Sequence, residues 1–169
     1  MSEYFRDIGR TIVTTLHSMS VAFKHLFTRS VTLQYPTVKW RMPERTRARL
    51  FNKIEDCIGC LQCARVCPVD CIAIEIAKAG KDEDLGTTSD GQKKKLHVLR
   101  FDIDFAKCCY CALCVDPCPT ECLYMTKEYE NSVYNRDNLI YHYATYTPEG
   151  IERVRESVGG KTIQVGIHP

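Results

Sequence analysis

The sequence predicts an α+β fold: a small domain built on a duplicated cysteine run, with an amphipathic helix before it and an extended tail after it. Three observations predict this. Residues 57–68 and 108–119 each read C-x2-C-x2-C-x3-C-P. Two β-branched, alternating segments, Ile72–Ala77 and Leu96–Ile103, lie between the runs as candidate strands. Apolar residues recur at gaps of three or four along residues 2–29, the period of a helix with one apolar face. The expected segments are an interfacial helix over 1–35, a basic extended connector over 36–52, the cysteine domain over 53–126, and an irregular tail with a short helix over 127–169.

The helix carries Phe5, Ile8, Ile12, Leu16, Met19, Phe23 and Leu26 on one stripe, with Arg6, Arg10, Thr14, Ser18, Lys24 and Arg29 on the other faces. No run approaches the roughly 18–20 apolar residues that a membrane span needs. Glu3, Asp7 and the arginines disfavour a cleaved signal peptide. The stripe either lies along a membrane surface and its proteins, basic residues toward anionic lipid, or covers the cysteine domain. The first reading is preferred because that domain is small and self-contained.

Residues 36–53 hold Lys39, Arg41, Arg45, Arg47, Arg49 and Lys53 against Glu44, a local charge of +5 in a chain of net charge +2. Arg45, Arg47 and Arg49 would share one face of a strand. That face would meet acidic subunits, lipid headgroups or the negative charge of a bound cofactor, or be simply solvated. No nucleic-acid motif and no low-complexity tract occurs.

The cysteine spacing is that by which bacterial-type ferredoxins hold cubane iron–sulfur clusters, and two copies imply two [4Fe–4S] clusters. A cubane needs one thiolate on each of four iron corners, and soft sulfur suits iron better than oxygen does. Structural zinc pairs two shorter half-sites, and a disulfide framework belongs to secreted chains. In two-cluster ferredoxins the fourth cysteine of each run serves the other cluster. Cys57, Cys60, Cys63 and Cys118 are therefore assigned to cluster 1, and Cys108, Cys111, Cys114 and Cys67 to cluster 2. The domain is a bacterial-type 2[4Fe-4S] ferredoxin-like domain, with short helices after each run and hairpins on the flanks.

The runs are an internal repeat: each ligand recurs 51 positions later, and so does the pair Cys71 and Cys122. Eight ligands among eleven cysteines leave Cys71, Cys109 and Cys122. Cys71 and Cys122 are expected to pack as small apolar groups near the clusters. Cys109 could in principle replace an adjacent ligand. Ile58, Leu61, Tyr110 and Leu113, between ligands, are expected to exclude water. Residues 78–95, polar and with three glycines, are expected to form an exposed hairpin loop without chemistry.

Six of the nine tyrosines fall in 124–146 without a clean period. That suits a tail wrapping another subunit, or packing on its own domain. Thr147-Pro148-Glu149 supplies an N-cap, an N1 proline and an acidic first turn for a short helix that Gly159-Gly160 would end. The last residues carry no readable signal. His17, His25, His97, His142 and His168 show no ligand spacing and are expected to be structural or solvated.

With these features laid out, the chain resembles subunit I of proton-pumping NADH:quinone oxidoreductases, the respiratory complex I family. The resemblance rests on Cys67-Pro-Val-Asp-Cys-Ile-Ala-Ile-Glu75, on Cys118-Pro-Thr-Glu-Cys-Leu-Tyr-Met-Thr-Lys-Glu-Tyr129, on Tyr134-Asn-Arg-Asp137, on Tyr35-Pro36 and on Pro43-Glu-Arg-Thr-Arg47. Ala48, Cys109 and the length of the 78–95 loop depart from the family pattern. The resemblance implies an electron relay through two clusters toward quinone. The chain would be one subunit of an oxidoreductase and translocase, with no catalytic acid, base or nucleophile of its own. Its implied partners are the quinone-site membrane subunit, neighbouring iron–sulfur subunits of the peripheral arm, and the membrane surface through residues 2–29. No nucleic acid and no directly bound small-molecule substrate are expected. The implied location is peripheral, at the cytoplasmic face of the bacterial inner membrane. The competing readings are the equivalent subunit of a related membrane-bound hydrogenase, a free soluble ferredoxin and, least favoured, an iron–sulfur sensor.

Overall fold

The computed structural model describes residues 2–80, 83–158 and 160–166. The chain divides into two units, Met1–Arg41 and Met42–Pro169. The boundary falls inside the basic segment expected as one connector over 36–52.

The first unit holds α1, Ser2–Leu26, slightly shorter than the expected 2–29. Its apolar stripe is exposed throughout: Phe5, Leu16, Phe23 and Leu26 are 68%, 60%, 65% and 74% accessible. The hydroxyls of Thr11, Thr14, Thr15 and Ser18 donate to backbone carbonyls one turn back, at 2.8–3.0 Å. Those polar groups are satisfied inside the helix and need no external partner. No helix among the described residues is long and apolar enough to cross a membrane.

The second unit is built on two antiparallel sheets. In the first, β1 (Leu50–Asn52) pairs with β4 (Leu123–Met125), joining the approach to the first cysteine run to the exit from the second. In the second, β2 (Ile72–Lys78) and β3 (Leu96–Asp104) form the central hairpin, flanked by the edge strands β5 (Ile140–His142) and β6 (Thr162–Val165) in the order β5-β3-β2-β6. The hairpin joins the exit from the first run to the approach to the second. Internal duplication thus becomes spatial pseudo-symmetry. Lys53 N–H donates to Cys122 O at 2.8 Å, and its counterpart Asp104 N–H donates to Cys71 O at 2.9 Å.

The core follows from alternation. Ile72, Ile74 and Ile76 on β2 pack with Phe101, Ile103, Leu50 and Leu123. Beside them the register of β2 against β3 shifts between Glu75 and Ile76, leaving Leu99 as an extra, fully buried bulge residue.

The C-terminal segment differs from the irregular tail expected of it. β5 (Ile140–His142) pairs with β3, and β6 (Thr162–Val165), for which the sequence gives no signal, pairs with β2. α3 (Pro148–Ser157) begins as expected, with Thr147 Oγ1 accepting from Gly150 N–H at 3.3 Å. Gly159 and His168 lie outside the described residues. The tail is tied down by charges buried in the central hairpin. Asp102 receives Arg100 and, at 2.6 Å, His142; Asp104 receives Arg136 at 2.8 Å. Glu75 is gripped by both Arg155 Nε (2.9 Å) and Nη2 (2.6 Å) from α3. Tyr141 and Tyr143 pack edge-on against Phe105 and Phe101, while Tyr134 is fully exposed.

Arg45, Arg47 and Arg49 do not share a strand face, because β1 starts only at Leu50. Arg47 donates to Cys111 O in the second ligand run at 2.9 Å, and Arg49 pairs with Glu128 and lies over the Tyr141 ring. The 78–95 loop is also more than a solvated excursion. Thr88 is buried, and Ser89 donates to Asp56, just before the first ligand, from its N–H (2.8 Å) and its hydroxyl (2.7 Å).

Candidate iron–sulfur site

Each cysteine run is a tight loop because alternate residues take left-handed backbone angles. Gly59 (φ 71°) and Leu61 (φ 62°) do so in the first run, and Tyr110 (φ 53°) and Ala112 (φ 67°) do so at the equivalent places in the second. Asp70 (φ 49°) and Glu121 (φ 48°) repeat the feature at the exits. Such angles in residues other than glycine cost of order 1–3 kcal/mol each and persist only where the surroundings impose them. A backbone curled in this way turns successive N–H groups to one side, the arrangement that receives anionic groups and sulfur. Only the first run gains a helix, α2 (Gln62–Val66); the second makes turns instead of the expected counterpart. Gly59 is needed because a Cβ there would stand 3.1 Å from Ile76 Cγ2. Its counterpart Tyr110 has room to stack its ring on Phe105.

Two cavities lie beside these loops. The first is lined by Cys57, Cys60, Cys63 and, from the other run, Cys118. The second is lined by Cys108, Cys111, Cys114 and, from the first run, Cys67. All eight cysteines singled out in the sequence therefore fall into the two expected groups of four. Leu61 (4% accessible) and Ile58 line the first cavity and Tyr110 the second, as water-excluding side chains should. Leu113 does not share that role: it is 49% accessible, and Leu50 and Met125 close the second cavity instead. Among the described residues no three thiols, carboxylates or imidazoles converge on a single ion. A cubane does not ask for that, since each thiolate takes its own iron.

Three further cysteines line the walls, Cys71 and Cys109 the second and Cys122 the first. Cys71 lines the second cavity with its Sγ 3.4 Å from Cys67 Sγ, and Cys122 lines the first with its Sγ 3.4 Å from Cys118 Sγ. Cys71 and Cys122 are buried, as a small apolar residue would be, but they also act as hydrogen-bonding partners of ligands. The bond with Cys108, and then burial, drive the Cys71 thiol up, and the same bond holds the Cys108 thiol down. Cys122 is raised in the same way by its bond with Cys57, which is lowered. In each pair the bond favours the thiol form of the extra cysteine and the thiolate form of its partner. Burial pushes Cys63 and Cys114 up to about 12, so iron must displace their protons on binding. Cys109 is exposed.

Asn52 is the polar side chain that the sequence does not flag. It is 2% accessible, lines the first cavity, and neither its Nδ2 nor its Oδ1 has a hydrogen-bond partner. An amide left unpaired in the interior costs about 1–3 kcal/mol. An unpaired donor on a cavity ringed by thiols fits a sulfur-rich occupant. The only signal in the sequence is a polar residue breaking the apolar β1 pattern Leu50-Phe51-Asn52.

His97 is buried and hydrogen-bonds Tyr146 Oη at 2.7 Å and Glu83 at 3.0 Å, and His142 sits on Asp102; both are structural, as expected.

Comparison with known proteins agrees with this geometry. Residues 56–122 match the family model for a 4Fe-4S dicluster domain. An NAD(P)H-quinone oxidoreductase subunit I of Gloeobacter violaceus is 38% identical over 82% of this chain and 61% of its own length. An NADH-quinone oxidoreductase subunit I of Geobacter metallireducens is 31% identical over 77% of this chain and 93% of its own. A Streptomyces coelicolor subunit I is 36% identical over 66% of this chain and 56% of its own. The chain thus spans less than two thirds of the first and third of these relatives. A solved archaeal respiratory membrane complex, the membrane-bound sulfane sulfur reductase, contains a chain 24% identical, with TM-score 0.49, covering 80% of this chain and 66% of that one. The protein is a carrier of two [4Fe–4S] clusters. Since the match to the Geobacter protein takes in nearly all of that relative, the chain belongs to the NADH-quinone oxidoreductase subunit I family.

Proposed function

We propose that this chain is the two-cluster electron relay of a membrane-associated NADH:quinone oxidoreductase, peripheral at the cytoplasmic face of the membrane and passing electrons toward quinone through neighbouring subunits. The observation that carries it is the pair of cavities, each closed by three thiols of one run and the fourth of the other. Bound there, the clusters supply one-electron transfer without bond making. The side chains hold and insulate. Cys57, Cys60, Cys63 and Cys118 are the ligands of the first cavity, and Cys108, Cys111, Cys114 and Cys67 those of the second. Leu61, Phe101 and Leu123 keep water from the first, and Leu50 and Met125 from the second. Water exclusion, hydrogen bonds to sulfur and local charge are the means by which a protein sets a cluster's potential.

The exposed apolar stripe of α1 supports contact with a membrane surface or a membrane subunit. The lack of any span-length apolar helix among the described residues accords with peripheral attachment. The related-hydrogenase reading shares both features and differs in its partners.

Two measurements test the proposal. Cys118→Ser should strip or convert the cluster bound by Cys57, Cys60 and Cys63, and Cys67→Ser the other, each read as one lost electron-paramagnetic-resonance signal. If Cys118→Ser perturbs the cluster of its own run instead, the crossed assignment is wrong. Native electrophoresis of gently solubilised membranes, with mass spectrometry of the bands, should find the chain beside quinone-site and antiporter-like subunits. Companions bearing nickel would favour the hydrogenase, and migration as a small soluble protein would overturn the membrane reading.

A further inference from the structure

The duplicated runs build two cavities of matching thiol pattern, but the walls around them are not alike. The first cavity adds Asn52 and Thr120, both buried. Thr120 Oγ1 lies 3.8 Å from Cys118 Sγ, and a ligand sulfur can only accept, so the hydroxyl donates. Asn52 brings an amide with no partner at all. In the second cavity the repeat places Val69 where the first has Thr120, and Leu50 and Met125 supply the remaining β1–β4 wall. Tyr110, half-buried and stacked on Phe105, is the one polar side chain there apart from the thiols. Each cavity has one buried extra thiol, Cys122 on the first and Cys71 on the second, and these offset each other; Cys109, also on the second, is exposed to solvent.

We propose that Asn52, through Nδ2, and Thr120, through its hydroxyl, donate hydrogen bonds to sulfurs of the cluster in the first cavity and make it the more readily reduced of the two. The physical reason is charge. Reduction adds one negative charge, spread largely over sulfur, so a donor to sulfur stabilises the reduced form more than the oxidised form and raises the potential. Burial strengthens the effect, because few solvent dipoles compete with these two. The Asn52 amide orients its donor toward the sulfurs, since its oxygen would face like charge. An electron shared between the two centres then rests in the first cavity, and the pseudo-symmetric pair acquires a direction. The inference rests on the ligand assignment proposed above.

The test is a redox titration of the purified full chain carrying its clusters, followed by electron paramagnetic resonance with iron and sulfide analysis alongside. The wild-type chain should show two resolved waves. Asn52→Leu, similar in volume but without a donor, should lower the upper wave by about tenfold in reduced-to-oxidised ratio, or ~59 mV for one electron, and leave the lower wave in place. Thr120→Val should move the same wave the same way, and Val69→Thr should raise the lower one. If Asn52→Leu costs the cluster itself, the near-isosteric Thr120→Val and Val69→Thr decide by the same criteria. A single unresolved wild-type wave, two unmoved waves, or two waves shifting together would overturn the proposal. A wild-type chain unable to take up both clusters counts against the ligand assignment and removes this inference with it. Full uptake with unmoved waves leaves the assignment standing and overturns this inference alone.

Discussion

At the scale of single residues, chemistry is concentrated where the backbone is most constrained. The left-handed angles at Leu61, Tyr110 and Ala112 are local strain that each loop retains because the packed surroundings impose that shape. Tyr110 joins this backbone to the shielding of the second cavity through its stack on Phe105. Tyr110→Ser should remove about 1 kcal/mol of aromatic pairing together with the apolar cover. The second cluster should then bleach faster in air than the first, followed as loss of visible absorbance with residual iron; equal bleaching would refute the shielding role. Leu123 is the core counterpart, 1% accessible on β4 beside the first cavity. Leu123→Ala should cost about 2–5 kcal/mol, measured by denaturant titration.

At the scale of elements, the C-terminal segment is held by few but specific contacts. Arg155 joins α3 to β2 by pairing with Glu75. Burial alone would raise the Glu75 carboxyl, and the Arg155 guanidinium together with hydrogen bonds from Gln164 and Thr162 reverses this, so that the net shift is downward. Arg155→Ala leaves that carboxylate buried without its charged partner. It should cost about 2 kcal/mol and loosen α3 first, visible as faster amide exchange over residues 148–157. Gly166, after β6, has φ 78°, and a Cβ there would overlap Ile72 O, so Gly166→Ala should free β6 from β2. The 78–95 loop offers a pH test. Asp56 is held well below the usual carboxylate range, first by the Lys53 ammonium and then by the Ser89 hydroxyl and N–H. A depressed carboxyl contributes stability above its unfolded value, about 3.9, and loses it as pH falls through the folded value. Ser89→Ala should therefore leave the chain less stable at neutral pH, with a shallower loss toward pH 3. An unchanged urea midpoint at both pH values would show the clamp to be energetically silent.

At the scale of the whole molecule, the two units divide the labour. Residues 42–169 contain both cavities, and the α1 stripe in the first unit is exposed. Replacing Leu16 and Phe23 with Asp should abolish association with anionic lipid vesicles in flotation assays while iron content stays at the wild-type level. Retained flotation would assign membrane attachment to other residues.

The spacing of the cysteines, the offset of the repeat and the α1 period are local properties, each visible in consecutive residues. That is why the two groups of four cysteines that line the cavities, and the amphipathic helix α1, were legible in the sequence alone. The Thr147 cap was legible for the same reason. β6 was not, because Thr162–Val165 is short and is a strand only through its pairing with β2. Nor could sequence tell that Asp102, Asp104 and Glu75 are buried tethers for the tail, or that Leu113 turns outward while Leu61 turns in. Asn52 shows the division most plainly. As a letter it is a polar residue interrupting a short apolar strand, and its meaning depends on which wall it joins. Tertiary structure brings β1 against β4 and sets that unpaired amide beside the first cavity and not the second. Local sequence thus determined which thiols come to line the two cavities. The non-local pairing of strands decided how differently the two are surrounded, because burial and hydrogen bonding come from residues far apart in the chain.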